Sequence, residues 1–295
     1  MKQILVTGAK GQLGTELRRA VLPEGWEVVG FGSAELDLND LQAIATTVAS
    51  RKWAAVINAA AYTAVDRAES DVVAAWQVNA LAPAAFAAAC QAADIPLIQV
   101  STDYVFDGEK PGSWEVDDPV GPRSVYGASK LGGELAVRTG CHRHAIVRTS
   151  WVVSAHGANF VKTMLRVGAE RDQLKVVDDQ HGAPTSAHDL AAALIQIARR
   201  LVEVPNLQGT WHFSNAGETS WYGFARAIFD QAGAHGGPAP ELLPIASADY
   251  PVPARRPANS LLSHAALTRD FGIVPRPWTE ALSDILAELY RKTKS

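Results

Sequence analysis

Tyr126-Gly127-Ala128-Ser129-Lys130 sets a phenol and an ammonium four residues apart, on one face of a predicted helix. An ammonium about 4 to 5 Å from a phenol, at an effective dielectric of about 20, is worth about 3 to 4 kcal/mol. That lowers a tyrosine pKa near 10 by about two to three units, towards a working pH. A phenol so tuned exchanges a proton with a carbonyl or alkoxide oxygen. The pair alone is a common surface motif, and its weight comes from what accompanies it. Thr7-Gly8-Ala9-Lys10-Gly11-Gln12-Leu13-Gly14 follows the first apolar run and opens an amphipathic stretch carrying Leu13, Leu17 and Val21. Glycines at 8, 11 and 14 permit a tight turn, bring backbone N–H groups to a pyrophosphate and let the helix pack closely. The Lys-Ser/Thr ending of a triphosphate loop is missing, which disfavours a kinase or ATPase. Ser101-Thr102-Asp103-Tyr104 follows another apolar run. A hydroxyl there either donates to a substrate oxygen and shares the proton network of Tyr126, or caps the turn.

The elements that must position these groups are legible as an alternation. Apolar, β-branched runs (3–7, 26–31, 54–58, 96–101, 144–149) take turns with longer Ala/Leu-rich stretches (12–22, 40–51, 72–93, 126–139). Repeated strand-then-helix units predict parallel strands joined by right-handed crossovers, hence an α/β doubly wound sheet over residues 1–150. Residues 151–295 read as a smaller α+β substrate domain, with 186–213 a candidate to return to the sheet. At the end of the second strand Gly30-Phe31-Gly32-Ser33 offers neither a carboxylate for a ribose 2′-hydroxyl nor an Arg for a 2′-phosphate, so NADH and NADPH stay undecided. Asp37 either lies against an adenine or, with Asn39, caps the next helix.

With 27 Lys+Arg against 31 Asp+Glu, the net charge of −4 over 295 residues gives no footprint for nucleic acid. The N-terminal apolar run is too short for a leader, and no later stretch is read as reaching the roughly 20 residues of a membrane span. Two cysteines, Cys90 and Cys141, exclude a disulfide framework and suit a reducing compartment, so the expectation is a soluble, cytoplasmic protein. Cys141-His142-Arg143-His144 lacks a second ligand pair for zinc, and no G-x-S-x-G elbow is present. Asn79 and Pro83 share one predicted helix. The proline removes the donor to the Asn79 carbonyl, which predicts a kink and either a water-mediated relay towards Lys130 or a purely structural Asn79.

Taken together, these residues resemble the extended short-chain dehydrogenase/reductases, and among them the dTDP-4-dehydrorhamnose reductase family. The likeness runs through Gly8 to Gly14, Asn58-Ala59-Ala60-Ala61-Tyr62-Thr63-Ala64-Val65-Asp66, Val78-Asn79, Ser101 to Gly108, and Tyr126 to Lys130 with Glu134. It continues through Arg148-Thr149-Ser150-Trp151, the block from Asn159 to Met164, Asp179 to Thr185, and Arg256-Pro257-Ala258-Asn259-Ser260. The resemblance implies reduction by NADPH or NADH of the C4 ketone of dTDP-6-deoxy-L-lyxo-4-hexulose, giving dTDP-L-rhamnose, the last step of dTDP-rhamnose biosynthesis. It implies Tyr126 as proton donor, Lys130 holding the nicotinamide ribose, and Thr102 completing the triad. Gly8, Gly11, Gln12, Leu13 and Gly14 would line the pyrophosphate, and Ala61, Tyr62 and Thr63 the nicotinamide half. Phe31, Asp37, Leu38 and Val100 are further cofactor candidates. Thr102, Asp103, Tyr104 and Trp151 would face the sugar nucleotide, Trp151 as an apolar wall or simply as a core residue. The family also implies Mg²⁺ at acidic groups of a homodimer interface, but no carboxylates here single themselves out and oligomeric state stays open. Two other readings remain: a sugar-nucleotide epimerase or dehydratase that retains its cofactor, and a non-catalytic regulatory subunit of the same fold.

Overall fold

Strands that read as near-continuous apolar runs are those buried on both faces, and a parallel sheet covered by helices buries them in that way. The protein is described by a computed structural model over residues 1–292. Its first half runs β1 (Lys2–Thr7), α1 (Gln12–Arg19), β2 (Trp26–Phe31), α2 (Leu41–Ala49), β3 (Trp53–Asn58), α3 (Val65–Ala68), α4 (Val72–Trp76), a π-helical turn (Gln77–Leu81), α5 (Ala82–Ala93), β4 (Leu97–Thr102), α6 (Val125–Gly140) and β5 (His144–Thr149). The second half runs β6 (Val152–Val153), α7 (Phe160–Glu170), β7 (Gln173–Val177), β8 (His181–Gly182), β9 (Thr185–Ser186), α8 (Ala187–Glu203), β10 (Gly209–His212), β11 (Thr219–Ser220), α9 (Trp221–Gly233), β12 (Glu241–Ile245), α10 (Ala265–Phe271) and α11 (Trp278–Lys292).

Six strands form one sheet in the order β2-β1-β3-β4-β5-β10, every neighbouring pair parallel. The sixth strand, β10, comes from the C-terminal half and pairs along β5 from Gly209↔Ala145 to His212↔Arg148. Strand order reverses between β1 and β3, and a doubly wound sheet opens its ligand crevice at the carboxyl ends of such strands. One face is packed by α1, α8 and α10 through Leu13, Leu17, Leu190, Leu194 and Leu267. The other is packed by α2, α5 and α6 through Ile44, Val48, Phe86 and Val137. A third core, from Val161, Phe224, Ile228 and Leu282, holds α7, α9 and α11 together.

Several local expectations are corrected. Helix α1 ends at Arg19, and Val21 is almost fully exposed beyond it instead of continuing the stripe of Leu13 and Leu17. Helix α2 is capped by neither Asp37 nor Asn39: Asp40 accepts the Ala43 N–H at 2.9 Å, while Asp37 Oδ1 is taken by the Asn39 backbone and side chain. The continuous helical stretch Val72–Ala93, 22 residues of mean hydropathy 1.4, is long and apolar enough by length and composition to cross a membrane. The expectation that no stretch reaches that length is corrected by this helix. Its Ala82, Phe86, Ala87 and Cys90 are fully buried between sheet, α2 and α6, the position of a core helix in this layer architecture.

Pro83 likewise acts through a π-helical turn rather than a simple kink, because the ladder widens over Gln77–Leu81 before the proline enters the first turn of α5. The released Asn79 carbonyl faces Gly133 of α6, where a Cβ would lie 2.1 Å from the oxygen. The Asn79 side chain ties α6 to the loop after β3. It accepts the Tyr62 N–H at 2.9 Å and donates to Tyr62 O and to Ser129 Oγ at 3.0 Å.

Candidate active site

The glycine-rich turn is shaped by backbone contacts that tolerate no side chain. Gly8 has φ +68°, and a Cβ at Gly14 would fall 2.1 Å from the Gly8 carbonyl oxygen. The turn closes through Gly11 N–H to Gly8 O at 2.9 Å and leans on β2 through Ala9 N–H to Phe31 O at 3.1 Å. These contacts leave the amino end of α1 facing the crevice, an arrangement that suits a pyrophosphate. Beside it lies a cavity of about 320 Å³ whose lining includes Gly8, Lys10, Gly11, Asp37, Leu38 and Ala61. The cradle therefore fits a dinucleotide.

Not every candidate presents its side chain there. Leu13 is buried in the α1/α8 core, so only its backbone can face the cofactor. Phe31 sets its ring edge-on to Trp53 at 6.1 Å and does not line that cavity. Gln12 is occupied with the second half of the chain, accepting from Ser154 Oγ at 3.0 Å and Asn159 Nδ2 at 2.9 Å. Tyr62 donates to Asp71 at 3.0 Å, and Thr63 is exposed.

Helix α6 carries Tyr126 and Lys130 and is drawn close to its neighbours by glycines. A Cβ at Gly127 would lie 2.2 Å from Tyr104 O, as the one at Gly133 would meet Asn79 O. Ser124 caps the helix by accepting the Gly127 N–H at 3.1 Å. This close docking lays Tyr126 and Lys130 against the carboxyl end of β4. Lys130 is 4% exposed and its Nζ donates to Val100 O at 2.6 Å. A buried polar seam continues from that carbonyl. Gln99 Nε2 also donates to Val100 O, Asn58 Nδ2 donates to Gln99 Oε1 at 2.8 Å, and Thr7 Oγ1 donates to Asn58 Oδ1 at 2.6 Å. The seam links the glycine loop to the ammonium across β1, β3 and β4. Sequence reading missed Thr7, Asn58 and Gln99 in this role; their signal was a polar residue inside each otherwise apolar run.

The tuning of Tyr126 differs from the expectation. Burial pushes its phenol up from its ordinary value, with Asp103 and Tyr104 adding to the rise and only the Thr102 hydroxyl opposing it. At rest, with its ammonium hydrogen-bonded to Val100 O, Lys130 is not among the groups that shift the phenol. Burial also lowers the Lys130 pKa to about 8, with Glu134 one turn on partly restoring it. At rest the phenol is thus a firmly protonated acid.

Around it, Thr102 caps the turn by accepting the Tyr104 N–H at 3.3 Å, and its own hydroxyl donates to Asp103 Oδ1 at 3.0 Å. Asp103 is 3% exposed and also accepts from Ser260 Oγ at 2.5 Å. Burial raises its pKa to about 6 against those two hydrogen bonds. Tyr104 stands edge-on to Tyr126 with ring centroids 5.4 Å apart and accepts from Arg256 at 3.0 Å. Trp151 has φ +48°, a conformation that costs a non-glycine residue about 1 to 3 kcal/mol. It is half-buried and stacks on Trp221 at 3.7 Å, so one ring face is already covered. Behind α6 the Glu134 carboxylate receives Arg148 in two hydrogen bonds of 2.9 and 2.7 Å, both residues fully buried.

Among the described residues, Glu16, His156 and Glu288 are close enough to surround an ion. Arg19 already stands between them, hydrogen-bonded to His156 and 2.8 Å from Glu288. A cluster with its own guanidinium and an imidazole does not fit Mg²⁺, which demands an octahedron of oxygens and waters.

The model of the RmlD substrate binding domain family matches residues 1–291. The dTDP-4-dehydrorhamnose reductase of Burkholderia thailandensis is 45% identical over 97% of this chain and 99% of its own. The chain belongs to the dTDP-4-dehydrorhamnose reductase family. The crystal structure of the Clostridium acetobutylicum member superposes with a TM-score of 0.90 at 38% identity, covering 97% of this chain and 99% of that one. The Bacillus anthracis member, solved in complex with NADP, gives 0.89 at 36% identity over 98% and 100%. Membership of this family rests on both halves of the chain, so the Asp103–Ser260 and Tyr104–Arg256 contacts that join them belong to a matched whole.

Proposed function

We propose that the protein is a soluble, cytoplasmic NAD(P)H-dependent reductase that converts the C4 ketone of dTDP-4-dehydro-L-rhamnose into the hydroxyl of dTDP-L-rhamnose. The observation that carries this reading is the convergence of a protonated phenol, a buried ammonium and a hydroxyl at the carboxyl end of β4, beside a glycine crevice shaped for a dinucleotide. A bound dihydronicotinamide supplies the hydride. Tyr126 gives its phenolic proton to the ketone oxygen as negative charge develops there. Its raised pKa keeps that proton loaded until a substrate oxygen demands it. Lys130 then steadies the phenolate and reaches the nicotinamide ribose from its anchor on Val100 O. Thr102 orients the ketone by turning its one O–H from Asp103 to the ketone oxygen. Asp103, Tyr104 and the free edge of Trp151 bound the hexose, while Gly8, Gly11, Gly14 and the Leu13 backbone hold the pyrophosphate. The 37–45% identity to reductases over nearly whole chains favours reduction over epimerisation or dehydration.

The test is oxidation of NADPH or NADH with freshly generated dTDP-4-keto-6-deoxyhexose. Tyr126→Phe is expected to lose about 10² or more in kcat with cofactor affinity retained. Wild-type protein that is folded, binds cofactor and consumes none would overturn the reductase reading. Equal rates for the two proteins would remove Tyr126 as the donor.

A further inference from the structure

The end of β2 carries no charge of its own, yet the fold brings two there from other segments. Lys10, inside the glycine loop, lays its side-chain stem over Gly32: a Cβ at Gly32 would sit 3.3 Å from Lys10 Cε and 2.8 Å from Glu35 Oε2. Glu35 turns back so that Oε2 accepts the Gly32 N–H at 2.9 Å, while Oε1 stands 4.0 Å from Lys10 Nζ. Both side chains are more than half exposed and free to adjust. Lys10, Gly32 and Ser33 line the cavity beside the glycine turn, where the cofactor ribose next to the adenine must lie if the proposed function is right. Gly32 is the position at which an acidic side chain would grip a 2′-hydroxyl, and the space its side chain would need is taken by this pair.

We infer that Lys10 and Glu35 act as an opposed pair that sets cofactor choice at the 2′ position. The Lys10 ammonium pairs with a 2′-phosphate, and the Glu35 carboxylate accepts from a 2′-hydroxyl and repels a phosphate. Because the two opposite charges offset each other at one place, the cleft admits both cofactors, and removing either charge tips the choice. Asp37 is the carboxylate that lines the cavity itself, with Glu35 reaching its edge through Gly32 and Lys10; Asp37 Oδ1 is committed to Asn39, so it weighs less.

This rests on the dinucleotide reading of the crevice, and the experiment separates the two. ADP-ribose and 2′-phospho-ADP-ribose are titrated calorimetrically into wild type, Lys10→Met and Glu35→Gln. Methionine keeps the stem over Gly32, and glutamine still accepts the Gly32 N–H, so the turn survives in both. Charges about 4 Å apart near water are worth about fivefold in an equilibrium constant. Lys10→Met should therefore shift the ratio of dissociation constants about fivefold or more towards ADP-ribose, and Glu35→Gln by about as much towards the phosphorylated ligand. Wild-type affinity for the phosphorylated ligand should weaken as salt rises more than affinity for ADP-ribose does, and that difference should flatten in Lys10→Met. Binding of both ligands with a ratio unmoved by either substitution overturns the inference alone. Failure of wild type to bind either ligand overturns the dinucleotide crevice and this inference with it.

Discussion

The buried Lys130 ammonium makes a pH dependence that a surface lysine would not show. Its pKa near 8 comes from burial, offset in part by Glu134. If the phenolate left on Tyr126 needs a cation, activity should follow the protonated fraction, about 90% at pH 7 and about 10% at pH 9. Because the Lys130 pKa lies below its ordinary value, the active ammonium form is complete at low pH and is lost as pH rises through 8. The reductive kcat/KM should therefore fall about ninefold to tenfold between pH 7 and pH 9. Tyr126 contributes no limb there, since burial holds its proton well beyond that window. The assay is kcat/KM for the keto-sugar nucleotide at saturating cofactor across this range, for wild type and Lys130→Arg. A guanidinium stays charged throughout, so whatever activity the variant retains should vary little between pH 7 and pH 9. A flat wild-type profile, or an unaltered limb in Lys130→Arg, would refute the reasoning.

Removing half of the buried Glu134–Arg148 pair leaves a charge with no partner, so Glu134→Gln should destabilise the fold by about 3 to 5 kcal/mol in urea titration. The double replacement Glu134→Met/Arg148→Met should recover most of that loss. Gly133→Ala places a methyl against the Asn79 carbonyl. It should lower stability by about 1 to 3 kcal/mol and reduce kcat more than cofactor affinity, because α6 carries Tyr126 and Lys130; unchanged kinetics would show that the close approach does not position them.

The glycine turn, the Tyr126/Lys130 spacing and the hydroxyl after β4 were legible because each depends on local chain geometry: a turn needing φ above zero, one helical turn, one strand end. Periodicity likewise fixed the alternating elements, and the motifs of the second half pointed to the family. What stayed hidden were features made between segments. The polar seam of Thr7, Asn58 and Gln99 is invisible until β1, β3 and β4 lie side by side. Ser260 reaches Asp103 across a separation of 157 residues. The ionisation of Tyr126 and Lys130 was misjudged for the same reason. A spacing of four residues gives proximity along a helix, but burial and the pull of Val100 O are set by everything packed around it.

Linear order therefore determined which reactive groups exist and which lie on a common face. Chain folding decided how dry they are and what each hydrogen-bonds, because desolvation and pairing depend on neighbours brought in from distant parts of the chain.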